Sequence, residues 1–486
     1  MSDSPPLTRR LKLAFALGST AESVIFTTTS GLLLIYYNQV RGAPAGLVGL
    51  ALSFGLVVNA IFEPVIGSWS DRTRSRLGRR HPFMFASIAP VAISVYAMFN
   101  PPAGFSPTAE VIWLGATNVI LMQAITAFHT PHLAFGGELS QDYIERSNVM
   151  SYNMFFLWLG DTASWLMTFA IFFPATAAYP NGTLNPEPWG RFSLTIAAIA
   201  LVALFVSSWY TRSRIPFLPQ APPDAPRFSV PEFIRDILRV MSNRNYVMLL
   251  VGFFFVSLMS GVRNALWLYG ATFFWQLSTA QVAYFVVGSL FGYVFGSGAL
   301  TWLHRRFDKR WTAATALLVY SIGPALPLAL GFLGILTPTT PGLLVILIAF
   351  STLQHAPYSI VTSTTYSALA DIADENDLKF GIRQEGIIYS LRRFFAKVDQ
   401  AVGTALAGWV LTLISFPAKA TPGEVPESVL MALAAAFVLS TIPGLIATIF
   451  YAMLRVTRDS HARTRAALEA RRGNCYRNLA PESLSD

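Results

Sequence analysis

Among the ionisable side chains that interrupt otherwise apolar runs of this sequence are Glu22, Glu63, His129, Asp161, Arg263, Lys397 and Asp399. Inside an apolar medium a charge costs several kcal/mol unless it is paired or hydrated, so each marks a place where charge is handled. Asn59 precedes Glu63 by one helical turn, which sets an amide and a carboxylate on one face. That pair reads as a cation- or proton-holding group, or else Glu63 is a helix-end acid paired with a loop arginine. Glu22, in the middle of the first run, reads as a solute or proton contact, or as half of an internal ion pair. Lys397 and Asp399 are two residues apart and so do not share a helix face. Each needs its own partner, and Arg263 is the expected partner of Asp399. Asp161 reads equally as a packed, hydrogen-bonded acid.

The aromatic residues are numerous, and most read as interfacial belts or lipid-facing packing. Trp158, Trp267, Tyr269 and Trp275 are candidates for apolar platforms under a sugar ring. The pair His129 and His132 lacks an acidic or third histidine ligand at fitting spacing, so no metal centre is expected. No nucleophile–base motif points to an enzyme.

These residues need elements that carry them through an apolar phase. Of 486 residues 53% are hydrophobic and 13% charged, against about a quarter charged in soluble proteins. Apolar runs long enough to span a bilayer lie near 12–38, 44–68, 83–100, 109–136, 149–174 and 190–211, then 246–275, 279–303, 310–333, 341–370, 386–414 and 427–455. The expectation is an all-α membrane protein of twelve transmembrane helices. It divides into a six-helix bundle over 1–211, a linker over 212–245, a second six-helix bundle over 246–455 and a tail over 456–486. The linker holds Pro216, Pro219, Pro222, Pro223, Pro226 and Pro231 and reads as extended chain followed by a short amphipathic helix. The basic start, Met1 to Lys12, runs straight into the first apolar run without a small-residue cleavage pattern, so that run reads as the insertion signal. The single cysteine, Cys475, excludes an intrachain disulfide.

Alternate loops are basic: Arg72 to Arg80, Arg146, Arg212 to Arg239, Arg305 to Arg310, and Lys379 with Arg383. Both ends are basic as well, whereas the other loops offer little beyond Arg41 and Lys419. The positive-inside rule then expects both termini in the cytoplasm. The net charge of +9 is a topology signal and a contact for anionic lipid, not a nucleic-acid footprint. A faint internal repeat links Pro131–Asp161, with ELSQD and RSNVMSYNMFFLWLGD, to Pro357–Asp399, with ALADIAD and RQEGIIYSLRRFFAKVD. Such repeats place a solute site between two halves.

Three stretches carry a family resemblance. GSWSDRTRSRLGRRHPFM, from Gly67 to Met84, resembles the cytoplasmic signature of the major facilitator superfamily, in the form seen in its glycoside–pentoside–hexuronide symporters. TPHLAFGGELS, from Thr130, is similar to that family's fourth-helix exit, and the stretch from Ala368 to Leu411 to its eleventh-helix signature. The resemblance covers essentially the whole chain. It implies two six-helix bundles working by alternating access, and a conformational latch formed by Gly67, Asp71, Arg72, Gly78, Arg79 and Arg80. It also implies a cation-coupling group of Glu63, Asn59, His129 and Thr126, in which an amide and a histidine stand where the melibiose-permease branch has acids. With one carboxylate left, the coupling ion is expected to be H+ rather than Na+, and no other cofactor is implied. Candidate solute contacts are Glu22, Ser23, Trp158, Arg263, Arg393, Lys397 and Asp399. The solute is expected to be a sugar, a glycoside or a related small organic molecule; Leu133, Met154 and Arg393 depart from that branch's sugar contacts, which makes melibiose-like disaccharides the least expected among them. A lysophospholipid-like solute and an uncoupled facilitator are the alternatives. The expected setting is a monomer in the bacterial inner membrane.

Overall fold

The computed structural model describes residues 5–140, 142–218, 230–380 and 385–479. Pro219, Pro222, Pro223, Pro226, Arg227 and Arg383, which belong to the expected linker and basic loops, lie outside the described residues. The first half runs through α1 (Arg9–Ile35), α2 (Ala45–Arg72), α3 (His81–Phe99), α4 (Pro107–Glu138), α5 (Tyr143–Leu166) and α6 (Pro188–Thr211). A short helix, α7 (Val230–Met241), follows. The second half comprises α8 (Arg244–Tyr269), the one-turn α9 (Thr279–Ala283), α10 (Phe285–Arg306), α11 (Lys309–Ile322), α12 (Leu326–Phe332), α13 (Leu343–Phe380), α14 (Glu385–Leu413), α15 (Glu427–Leu439) and α16 (Thr441–Ala452). A tail helix, α17 (Arg458–Leu479), ends the described chain.

Local chemistry sets the helix ends. Thr8 caps α1 through Leu11 N, Ser106 caps α4 through Ala109 N with Pro107 just inside, and Asp142 caps α5 through Glu145 N. The first helix of each half ends in a π-turn, Tyr36–Arg41 after α1 and Gly270–Phe274 after α8. Proline breaks the second half further. Pro324, just after α11, supplies no N–H for Tyr320 O, and the chain passes through a 3₁₀ turn into α12.

By length and composition, ten of the described helices could cross a bilayer. The two missing from the twelve expected spans are α1 and α14. The physical reason is their cargo: α1 carries Glu22 among Ser19, Ser23, Thr27, Thr28 and Thr29, and α14 carries Arg392, Arg393, Lys397 and Asp399. Both are of span length but polar along one side, because that side faces other helices rather than lipid. The lipid-facing sides elsewhere show Phe54, Ile93, Ile112 and Val345 exposed.

Within the first half α1 packs on α5 and α6, α2 on α4, and α3 on α4 and α6. Within the second, α10 packs on α13, α11 on α13 and α16, and α8 on α16 and α14. The main seam between the halves is α2 against α14. Small residues allow it: a Cβ on Gly408 would lie 2.5 Å from Ala45 O, and one on Gly49 would lie 3.0 Å from Thr404 O. Ser53 Oγ also donates to Ala401 O across the seam at 2.6 Å.

At the end remote from the termini the halves are tied by neutral hydrogen bonds. Tyr269 OH donates to Asn38 Oδ1 (2.9 Å), Asn181 Nδ2 to Thr272 Oγ1 (2.9 Å) and Gly182 N to Thr279 Oγ1 (2.6 Å). Gln39 donates to Pro417 O at 3.0 Å and accepts from Ala420 N at 2.9 Å, and Gly46 N donates to Thr412 Oγ1 at 3.1 Å.

The seam is testable through its glycine. Gly408→Val is expected to force α2 and α14 apart, costing about 1–3 kcal/mol as an overpacked contact. The purified variant should melt several degrees below the parent, whereas Gly298→Val, at a glycine with open space around its Cβ position, should melt alongside it.

Candidate functional site

Glu63 stands on α2 immediately before Pro64, which removes the amide that would otherwise bond Ala60 O. Its Oε2 lies 2.7 Å from Lys397 Nζ on α14. The same ammonium donates to Asn59 Oδ1, and the amide nitrogen of Asn59 donates to Thr126 Oγ1 (2.6 Å) and Met122 O (2.8 Å) on α4. One chain of contacts therefore runs from α14 through α2 to α4, and it joins the two halves. Asn59 and Thr126 are buried, while the ends of Glu63 and Lys397 keep partial access to water.

His129 is not part of that group. Thr126 and His129 share α4 but look different ways: Thr126 meets α2, and His129 Nδ1 meets Glu22 Oε2 on α1 at 2.6 Å. The four residues read together as one coupling group thus divide, and the histidine forms the internal pair open to Glu22. Arg393 on α14 is exposed. Ser23 turns elsewhere: its hydroxyl bonds Thr20 O at 3.1 Å and lies against Gly160 in the packed contact of α1 and α5. His132 is buried, stacks on Phe15 and bonds Phe15 O at 2.9 Å.

A cavity of about 280 Å³ opens between the halves. Phe26, Thr27 and Ser30 of α1 line it, about 6–12 Å further along the helix axis than Glu22 at 1.5 Å per residue. Trp158, Asp161 and Trp165 of α5 form one wall; Asn264 and Trp267 of α8, Tyr293 of α10, and Gln354 and His355 of α13 form the other. Thr27 Oγ1 donates to Asp161 Oδ1. Trp165 and Trp267 meet across the halves with ring centroids 5.3 Å apart. His355 Nδ1 lies 2.8 Å from Ser351 O, a contact in which Nδ1 is the donor.

Arg263 also borders the cavity but is only 4% exposed. Its guanidinium serves the second half's broken helices: it donates to Tyr320 O (3.1 Å) and Ser321 O (2.6 Å) at the end of α11, and to Ser440 Oγ (3.0 Å) and Thr441 Oγ1 (2.9 Å) where α15 gives way to α16. Pro324 leaves Tyr320 O without an amide, and helix C-termini attract cations. The expected Arg263–Asp399 pair is absent for that reason. Asp399 is 1% exposed, and neither carboxylate oxygen has a hydrogen-bond partner.

The signature loop closes the tail-side end of the first half. Arg80 meets Asp71 at 2.5 Å and Glu138 at 2.9 Å, and Arg79 meets Glu138 at 2.7 Å. Arg72 bonds Ser68 Oγ at 2.6 Å. Gly78 has φ +70° in a turn held by its amide on Ser75 O, and Gly67 faces Thr130 with ordinary contact. The second half repeats the relation with Lys309 on Asp371 at 2.5 Å.

Asp161 was visible in the sequence as an ionisable residue, but Trp165, Asn264, Tyr293, Gln354 and His355 were not singled out. Polar residues recurring in the neighbourhood of Pro357, the counterpart of Pro131 in the internal repeat, were the available signal for Gln354 and His355.

With this geometry in hand, comparison with known proteins is direct. The family described as MFS/sugar transport protein matches residues 14–458. The inner membrane symporter YicJ of Escherichia coli (strain K12) is 24% identical over 413 residues, covering 84% of this chain and 83% of its own. The isoprimeverose transporter of Lactiplantibacillus pentosus is 25% identical over 403 residues, covering 82% and 79%. Among solved structures, a bacterial homologue of the human lysosomal transporter Spinster, inward-facing and unoccupied, superposes with a TM-score of 0.63 at 15% identity, covering 95% of this chain and 96% of its own. The fold is that of the major facilitator transporters.

The Lys397–Glu63 contact makes a double-mutant prediction. Glu63→Gln or Lys397→Met alone leaves a partly buried charge without its partner and should cost about 1–3 kcal/mol. The double variant should melt no lower than the less stable single variant, since removing both charges removes the imbalance. Additive losses in melting temperature would show that the two groups do not interact.

Proposed function

Because the chain belongs to the MFS/sugar transport protein family, we propose that this transporter is a proton-coupled symporter of a sugar, glycoside or related small organic solute. The observation that carries the coupling reading is the ammonium of Lys397 lodged between Glu63 and Asn59 at the contact of the two halves. A proton arriving on Glu63 cancels the charge that holds Lys397, so the tie between α2 and α14 weakens on protonation and re-forms on release. Sodium fits this group less well. It would find a single carboxylate there, already facing a resident cation, whereas hard cations favour several oxygen ligands. The name of the isoprimeverose transporter supports a sugar-like solute, as does a cavity that mixes indole faces with hydroxyl, amide and carboxylate groups.

In this reading both termini face the cytoplasm of a bacterial cell, which the basic loops support. The neutral hydrogen bonds at the remote end then close the outer side, and the cavity is served from the inner side. The cycle alternates by separating those bonds while the tail-side ends approach.

Purified protein in liposomes tests the coupling. Offered a panel of labelled sugars and glycosides with an imposed proton gradient, the parent is expected to accumulate its solute above equilibrium. Glu63→Gln should lose accumulation by tenfold or more yet still exchange labelled for unlabelled solute across the membrane. Accumulation driven by a sodium gradient alone, or by none, would overturn proton coupling.

A further inference from the structure

We propose that Asp161 is the solute-selecting carboxylate of the cavity. It would accept a hydroxyl pair from an uncharged polyhydroxylated ring whose apolar face lies against Trp165 and Trp267, and it would reject solutes that bring an anionic group to that wall. This rests on the reading that the transporter carries sugar-like solutes.

The lining singles out this residue. Asp161 is the one carboxylate among the described residues that border the cavity, and it is exposed there. Thr27 occupies only its Oδ1, on the same half of the molecule, which orients the group and leaves Oδ2 as an acceptor. A carboxylate accepts and does not donate when ionised, so whatever reaches it must bring hydrogens. Hydroxyls meet that need and a carboxylate or sulfonate does not. Arg263, the one guanidinium bordering the cavity among the described residues, does not supply an anion site beside it, because four of its N–H groups are spent on α11, Ser440 and Thr441.

The remaining wall completes the match. The indole nitrogen of Trp165 is buried and has no hydrogen-bond partner, so the ring offers a solute its apolar face rather than its N–H. The tilted contact of Trp165 with Trp267 joins one ring from each half, so a solute stacked there touches both halves at once. His355 and Gln354 line the wall formed by the other half, across from Asp161. A solute with hydroxyls on two edges therefore bridges the halves, and one with a single polar edge does not.

The test uses the full chain in detergent and in liposomes, with 4-nitrophenyl β-glucoside, β-galactoside and β-xyloside as neutral probes and 4-nitrophenyl β-glucuronide as the anionic one. Binding is read by melting-temperature shift and by inhibition of uptake. At least one neutral probe should bind the parent, and Asp161→Asn should weaken it about ten- to hundredfold, the loss of a charge-assisted hydrogen bond. The glucuronide should bind the parent at least tenfold more weakly than that neutral probe and should gain on Asp161→Asn. Asp161→Ser, smaller and also uncharged, should show the same direction, which covers failure of either variant to fold. A neutral probe that binds parent and variants within twofold would overturn the role of Asp161 while leaving sugar transport standing. Equal binding of glucuronide and glucoside by the parent would overturn the selectivity. If no probe of either charge binds the parent, both this inference and the sugar reading fall.

Discussion

The structure is organised around one constraint: a lysine ammonium placed on α14 in the interior of the molecule must have an anion, and the anion is on the other half. Lys397 finds Glu63 on α2, with Asn59 supplying a second acceptor. Everything near the pair follows from keeping it dry enough to matter and wet enough to exchange. Asn59 is itself held by Thr126 and Met122 O, so its carbonyl is aimed and cannot rotate away. Gly408 and Gly49 bring α2 and α14 close enough for the ammonium to reach across. A partly buried pair of this kind contributes little net stability over an apolar contact, but removing one partner is costly. That asymmetry suits a group that changes protonation during a cycle.

The second half manages its charge differently. Arg263 has no carboxylate; it gathers backbone and hydroxyl oxygens that broken helices leave over. Pro324 and the junction at Ser440 and Thr441 create the oxygens, and the guanidinium satisfies them. The polar interior is therefore of two kinds. One is an ion pair between halves, sensitive to a proton. The other is a staple within one half, whose arginine stays charged across the physiological range and whose effect is to hold α8, α11 and the α15–α16 junction as one unit.

Much of this was legible in the sequence, because ionisable residues in apolar runs are conspicuous and helical spacing assigns them to faces. The Asn59–Glu63 pair, the need of Lys397 for a partner of its own, and Glu22 as half of an internal pair were all on that level. Helical spacing says which residues share a face but not which helix that face meets. The family resemblance groups His129 with Glu63, and spacing offers no check on it, although α4 points Thr126 at α2 and His129 at α1. Arg263 was matched to Asp399 by charge alone, since the unpaired oxygens near Pro324 and Ser440 arise only once the helices break and pack. The same gap hid the cavity: Trp165 and Trp267 are 102 positions apart and meet only because α5 and α8 approach from different halves.

The two ends of the molecule also differ in a way that bears on energetics. The remote end is closed by neutral hydrogen bonds between amides, hydroxyls and backbone groups, each worth about 0.5–1.5 kcal/mol net because water replaces the partner on opening. Together they amount to a few kcal/mol. Swinging a two-state equilibrium from about 1:99 to 99:1 takes roughly 5.5 kcal/mol of differential affinity. A small solute and a proton together must supply that difference. A seal of neutral bonds keeps the gap within their reach, and the ion pair at Glu63 and Lys397 sits where a proton acts on it directly. Closure by weak neutral bonds and coupling by one exchangeable charge pair are therefore complementary requirements of the same cycle.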